Sequence, residues 1–137
     1  MAIPSVGGGY QFNDGNLNEV KVSVAAAPAT AINDATLTVA QILNGILIGT
    51  PTATAAYTLP LAADVDAVLT NAKVGTTFSF SVITAAAYAI TITTNTGWTI
   101  GSTGTQGNMV LTATAGTARS FRARKTGDGT WALYAIS

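Results

Sequence analysis

The chain has 137 residues, 48% of them hydrophobic, with six basic and six acidic side chains and neither histidine nor cysteine. That length suits one domain of roughly 100–200 residues. The missing residue types exclude disulfide staples, thiolate nucleophiles, Cys-based zinc sites and Ser-His or Cys-His catalysis within one chain.

Charged residues are only 9% of the total, against about 25% in an ordinary soluble domain. Residues 35–63 and 74–118 carry no charge at all. A freely soluble monomer intersperses both signs over its surface and keeps its net charge away from zero, whereas low charge marks the cores of interfaces. Assembly with copies of itself or with a larger body is therefore expected, the alternative being a monomer coated with Thr, Ser and Asn. A net charge of zero argues against nucleic acid as a partner. No apolar run approaches the roughly 18 residues of a membrane span, and the N-terminus lacks the basic and apolar regions of a secretory signal, so neither is expected.

In chain order, residues 1–34 read as an extended N-terminal arm and linker. Gly7-Gly8-Gly9 resists regular structure, and Asn13-Asp14-Gly15-Asn16 is a turn signal. Residues 20–24 alternate like one short strand, and residues 25–31 form a small-residue linker. The pegs Ile3, Val6, Tyr10 and Phe12 cannot build a core alone, so the arm is expected to order against a partner rather than stay a solvated tail.

Residues 35–137 read as one β domain. Thr38 is placed to cap a helical turn over residues 39–44, which Gly45 stops. Residues 46–48 and 56–59 are short strands ended by Gly49-Thr50-Pro51 and Pro60, and residues 61–71 have the spacing of one amphipathic helix. Period-two alternation then predicts strands at 76–82, with Phe78, Phe80 and Val82 on one face, and at 88–93, with Tyr88, Ile90 and Ile92 together. Further strands at 98–100, 109–114, 118–125 and 130–136 follow a glycine-rich loop at 101–107, and Gly127-Asp128-Gly129 joins the last two as a hairpin. The expectation is an all-β, jelly-roll-like sandwich with one or two short helices.

Few residues have the makings of a site. Asp64 and Asp66 diverge on a helix and are explained by its positive end. Asp14 and Asp128 sit in turns with too few carboxylates for a calcium loop, and Gly7-Gly8-Gly9 lacks the strand, helix and lysine of a phosphate loop. Trp98, Trp131 and Tyr134 are placed in the core, with sugar stacking as the alternative. The basic cluster Arg119, Arg122, Arg124 and Lys125 either grips carboxylates of a partner or neighbouring subunit or guards an exposed strand. No catalytic, cofactor-binding or metal-binding residue is expected, and the chain does not read as an enzyme.

An ordered series of segments carries a family resemblance. It runs Leu37-Thr38-Val39-Ala40-Gln41-Ile42-Leu43-Asn44-Gly45-Ile46, Tyr57-Thr58-Leu59-Pro60, Asn71-Ala72-Lys73-Val74-Gly75-Thr76-Thr77-Phe78-Ser79-Phe80, Gly97-Trp98, Phe121-Arg122-Ala123-Arg124 and Trp131-Ala132-Leu133-Tyr134. In order and spacing this resembles the head decoration (cement or head-fibre) proteins of tailed bacteriophages. The resemblance implies a jelly-roll-like domain, usually trimeric, on the outside of an icosahedral capsid, with the major capsid protein and copies of itself as partners. It supplies no catalytic residues and does not reach the arm. A glycan- or receptor-binding module of a tail fibre or adhesin is the alternative reading.

Overall fold

The computed structural model describes residues 24–101 and 109–137. The pegs Ile3, Val6, Tyr10 and Phe12, most of the strand expected at 20–24 and nearly all of the glycine-rich loop lie outside the described residues. Within them the chain forms β1 (Ala29–Ala31), β2 (Ala35–Thr36), α1 (Val39–Leu43), β3 (Ile46–Gly49), β4 (Ala55–Thr58), α2 (Ala62–Val68) and β5 (Thr77–Thr84). β6 (Ile90–Thr93), β7 (Trp98–Ile100), β8 (Val110–Leu111), β9 (Ala118–Gly127) and β10 (Thr130–Ala135) complete it.

These strands form two sheets, one of six in the order β1-β3-β5-β9-β10-β7 and one of four in the order β2-β4-β6-β8. The two-sheet, mostly β organisation agrees with the alternating runs in the sequence. Its winding differs from that of a jelly roll, whose strands are antiparallel. Here β1, β3 and β5 lie side by side and parallel in the larger sheet, and β2, β4 and β6 do the same in the smaller. Parallel neighbours need a long crossover. Each crossover here is a strand of the opposite sheet together with α1 or α2, so the chain coils between the two sheets and lays each turn beside the last. Only β5–β9, β9–β10 and β6–β8 are antiparallel among the described residues.

Local chemistry explains the boundaries. Thr38 accepts from the Gln41 backbone N–H while the Gln41 side chain accepts from the Thr38 N–H, a capping box that starts α1. Gly45 follows at φ +96°, the left-handed conformation that glycine tolerates best. α2 ends at Val68, shorter than expected, where Leu69 leaves helical geometry at ψ 65°. Tyr88 is not in a strand and is 42% exposed. The buried hydroxyl of Thr84 holds residues 84–88 in a turn by bonding Ala86, which delays β6 to Ile90. The sandwich also begins before residue 35: residues 29–31, expected as linker, are tied to β3 as an edge strand.

The core lies between the sheets. Phe80 and Phe121 stack at 5.3 Å, and Phe78 and Trp98 meet Trp131 at 5.4 and 6.1 Å. Trp98 donates its indole N–H to the Pro60 carbonyl at 2.8 Å, so its polar atom costs nothing on burial. Tyr57 is fully buried, its hydroxyl within reach of the carbonyls of Ala31 and Ile32 at 3.1 and 2.9 Å. Burial, with the Asp34 charge added, pushes this phenol up, so it stays a donor at neutral pH. Gly49 makes the packing possible, since a Cβ there would stand 2.6 Å from Ile90 Cδ1 and 2.7 Å from the Tyr57 hydroxyl.

Candidate functional site

β9 carries the basic cluster, and strand alternation divides it. Phe121, Ala123 and Lys125 are buried against the core, whereas Arg122 and Arg124 point outward and are exposed. Arg119 lies on the core side, across from the buried Val82. Its Nε donates to the Val110 carbonyl of the smaller sheet at 3.1 Å and its Nη1 to the Ser137 carbonyl at 2.9 Å. Arg119 therefore ties the two sheets together at one end of the sandwich, and the basic cluster of Arg119, Arg122, Arg124 and Lys125 resolves into an outward pair, this tie and a buried lysine.

Lys125 is 5% exposed and forms an ion pair with Asp66 of α2. The Asp66 carboxylate also accepts from the Trp131 indole N–H at 2.9 Å and the Gly129 backbone N–H at 2.6 Å. The Lys125 ammonium lies 5.7 Å from the Trp131 ring centroid. Burial alone would raise the Asp66 carboxyl. The hydrogen bonds from Lys125, Gly129 and Trp131 and the Lys125 charge outweigh it and hold the group below its ordinary value. Asp66 thus fastens α2 to the β9–β10 hairpin, a role not foreseen from its place in a helix. In the sequence Lys125 reads as a member of the exposed basic cluster; the missed signal is that it shares parity with Phe121 and Ala123, which places it on the core face and calls for a buried counter-ion. Asp64 is exposed on the other side of α2.

The register gives the composition of the outer face of the larger sheet. Ile46 of β3 lies beside Ser81 of β5 and Ser120 of β9; Ser79, Arg122 and Tyr134 form the next row, and Thr77, Arg124, Ala132 and Thr99 the row beyond. Among the described residues Arg122 reaches only the Ser79 hydroxyl, at 3.3 Å. Neither outward guanidinium meets a carboxylate among the described residues, where the single ion pair is Lys125–Asp66. Of the expected core aromatics, Trp98 and Trp131 are buried and Tyr134 is half-buried on this outer face. Two open clefts flank α2: one of about 550 Å³ is lined by Leu37, Val39, Pro60, Leu61, Asp64 and Asn95, and one of about 370 Å³ by Val68, Leu69, Asn71 and Thr76. Among the described residues no group of three or more His, Cys, Asp or Glu could hold a metal ion, and no helix is long and apolar enough to cross a membrane.

Comparison with known proteins found no matching family model, no matching curated protein and no matching solved structure.

Proposed function

We propose that this chain is a structural virion protein that decorates the outer surface of a tailed-bacteriophage capsid, probing no substrate and associating as a trimer through the sandwich. The N-terminal arm preceding β1, with the pegs Ile3, Val6, Tyr10 and Phe12, anchors it to the major capsid protein. The observation that carries the reading is the outer face of the six-stranded sheet. Among the described residues it is a wide surface of Thr, Ser, Ile, Ala and Tyr whose charges are two arginines with no carboxylate beside them. Such a face is poorly suited to free solution, where both signs are interspersed, and well suited to being covered by protein. The resemblance of the ordered segments to those of head decoration proteins supports the same reading. Three arms on one trimer would raise the effective concentration of each at the capsid, so no single contact need be strong.

The test is co-sedimentation of the purified chain with empty capsids of a tailed phage that encodes it. Saturable binding at a fixed number of copies per capsid is expected. Failure to bind capsids, with retention on host polysaccharide instead, would overturn the proposal in favour of a glycan-binding module.

A further inference from the structure

The outward arginines and the outward face of α2 are complementary. On α2, Leu61, Asp64 and Val68 recur at spacings of three and four and share one face. Leu61 and Val68 are 41% and 58% exposed, and Asp64 between them has no hydrogen-bonded or ionic partner for its carboxylate among the described residues. Leu61 and Asp64 border one of the two clefts and Val68 the other. On the larger sheet, Arg122 and Arg124 project from β9, with the half-buried Tyr134 across from Arg122 and Ile46, 43% exposed, two strands away in the row of Ser120. One surface is an acid set between apolar groups; the other is a pair of cations set among apolar groups and hydroxyls. Among the described residues the other exposed carboxylates fit less well. Asp34 already accepts from the Ala56 N–H at 2.7 Å, and Asp128 sits at the tip of the β9–β10 turn, with no exposed large apolar residue on that turn.

We infer that α2 of one copy docks on the outer face of β9 in the next, Asp64 meeting Arg122 and Arg124 while Leu61 and Val68 bury against the apolar residues around them. This rests on the self-associating reading above and names the surfaces that associate. The charge pattern also dictates the symmetry. A two-fold contact of the sheet face with itself would set four arginines together without a counter-charge, and like charges so placed are repelled. Contact between two different surfaces is heterologous, and it closes into a ring when the rotation allows. A trimer is one such ring.

The test is the mass of the full chain in solution, measured by light scattering over a concentration series, with the melting temperature of each variant as a check on folding. Asp64→Arg and the pair Arg122→Asp with Arg124→Asp are each expected to weaken association about tenfold or more, without lowering the melting temperature of the dissociated chain. Combining all three substitutions in one chain restores opposite charges at every contact and should restore the mass. Mixing the two separately substituted chains should give species heavier than either alone, which tests the contact even if the triple variant folds poorly. The inference is overturned if either charge reversal keeps the wild-type mass, or if the triple variant does not regain it and the mixture is no heavier than either chain alone. It is also overturned if the Arg122→Asp/Arg124→Asp chain pairs with the wild type as a two-fold dimer. A monomeric wild-type chain overturns it too, and capsid co-sedimentation then decides separately whether the decoration reading stands.

Discussion

Asp66 and Lys125 are the residues at which charge does the most for this fold. Lys125 is almost wholly buried and Asp66 a quarter exposed, 6% and 23% by side chain. Removing one member of a buried pair strands the other charge, at a cost of about 3–5 kcal/mol. Because Asp66 keeps some solvent contact, Asp66→Ala is expected at the lower end, near 3 kcal/mol. A thermal melt should register this as a drop on the order of 10 °C. Lys125→Met should cost less, since the carboxylate retains its Gly129 and Trp131 donors. The pair also makes stability pH-dependent. The folded Asp66 carboxyl titrates below its unfolded value of about 3.9, so its stabilisation is complete above that value and is lost as pH falls through the folded one. Melting temperature should fall as the solution is acidified below about pH 4, and the fall should be shallower in Asp66→Asn. An equal slope in both proteins would show that another group controls acid unfolding.

At the scale of elements, close approach and turn geometry decide what the strands can do. Gly49 ends β3 with the Tyr57 ring and Ile90 against its backbone. Gly49→Ala must displace one of them, and overpacking of this kind costs about 1–3 kcal/mol. Urea unfolding should show a lower midpoint at unchanged slope; a midpoint equal to wild type would mean that the contact relaxes freely. The β9–β10 hairpin shows how a turn sets a site. Gly129 takes φ +63° while Asp128 keeps negative φ, so the turn is not the mirror-image type that an Asp-Gly pair favours. The register shifts between Thr130 and Trp131, placing Lys125 rather than Thr126 across from Trp131. That single shift brings the ammonium and the indole to the same carboxylate.

For the whole molecule, the coil between sheets and the outer face, whose described charges are Arg122 and Arg124, bear on assembly. Ordering the arm costs about 1–2 kcal/mol of backbone entropy per residue, and each buried apolar peg returns about 1.5–3 kcal/mol. Four pegs are therefore marginal in one arm and sufficient only with neighbouring contacts and avidity. Deleting residues 1–24 removes nothing from β1 onward and should leave a folded, self-associating sandwich that no longer sediments with capsids. Tyr10→Ala with Phe12→Ala should weaken capsid binding at an unchanged melting temperature of the free protein. Undiminished decoration by the truncated chain would move the anchor onto the sandwich.

Period-two alternation was enough to place β5 and the Ile90–Thr93 run of β6, though it wrongly added Tyr88. The capping residues were enough to place α1, and the lack of His and Cys to exclude whole classes of chemistry, because each of these depends on neighbours a few residues apart. The parity of β9 likewise separated Arg122 and Arg124 from Phe121 and Ala123. Pairing was another matter. Whether β3 lies parallel to β5 or returns as a hairpin depends on where a crossover of about thirty residues leads, and a parallel and an antiparallel strand share the same alternation. Only the tertiary structure joined Asp66 to Lys125 across 59 positions, turned Arg119 inward to tie the sheets, and set β1 where small residues read as linker. Each of these depends on which strands become neighbours, and that is decided by packing two sheets around one core rather than by any local pattern.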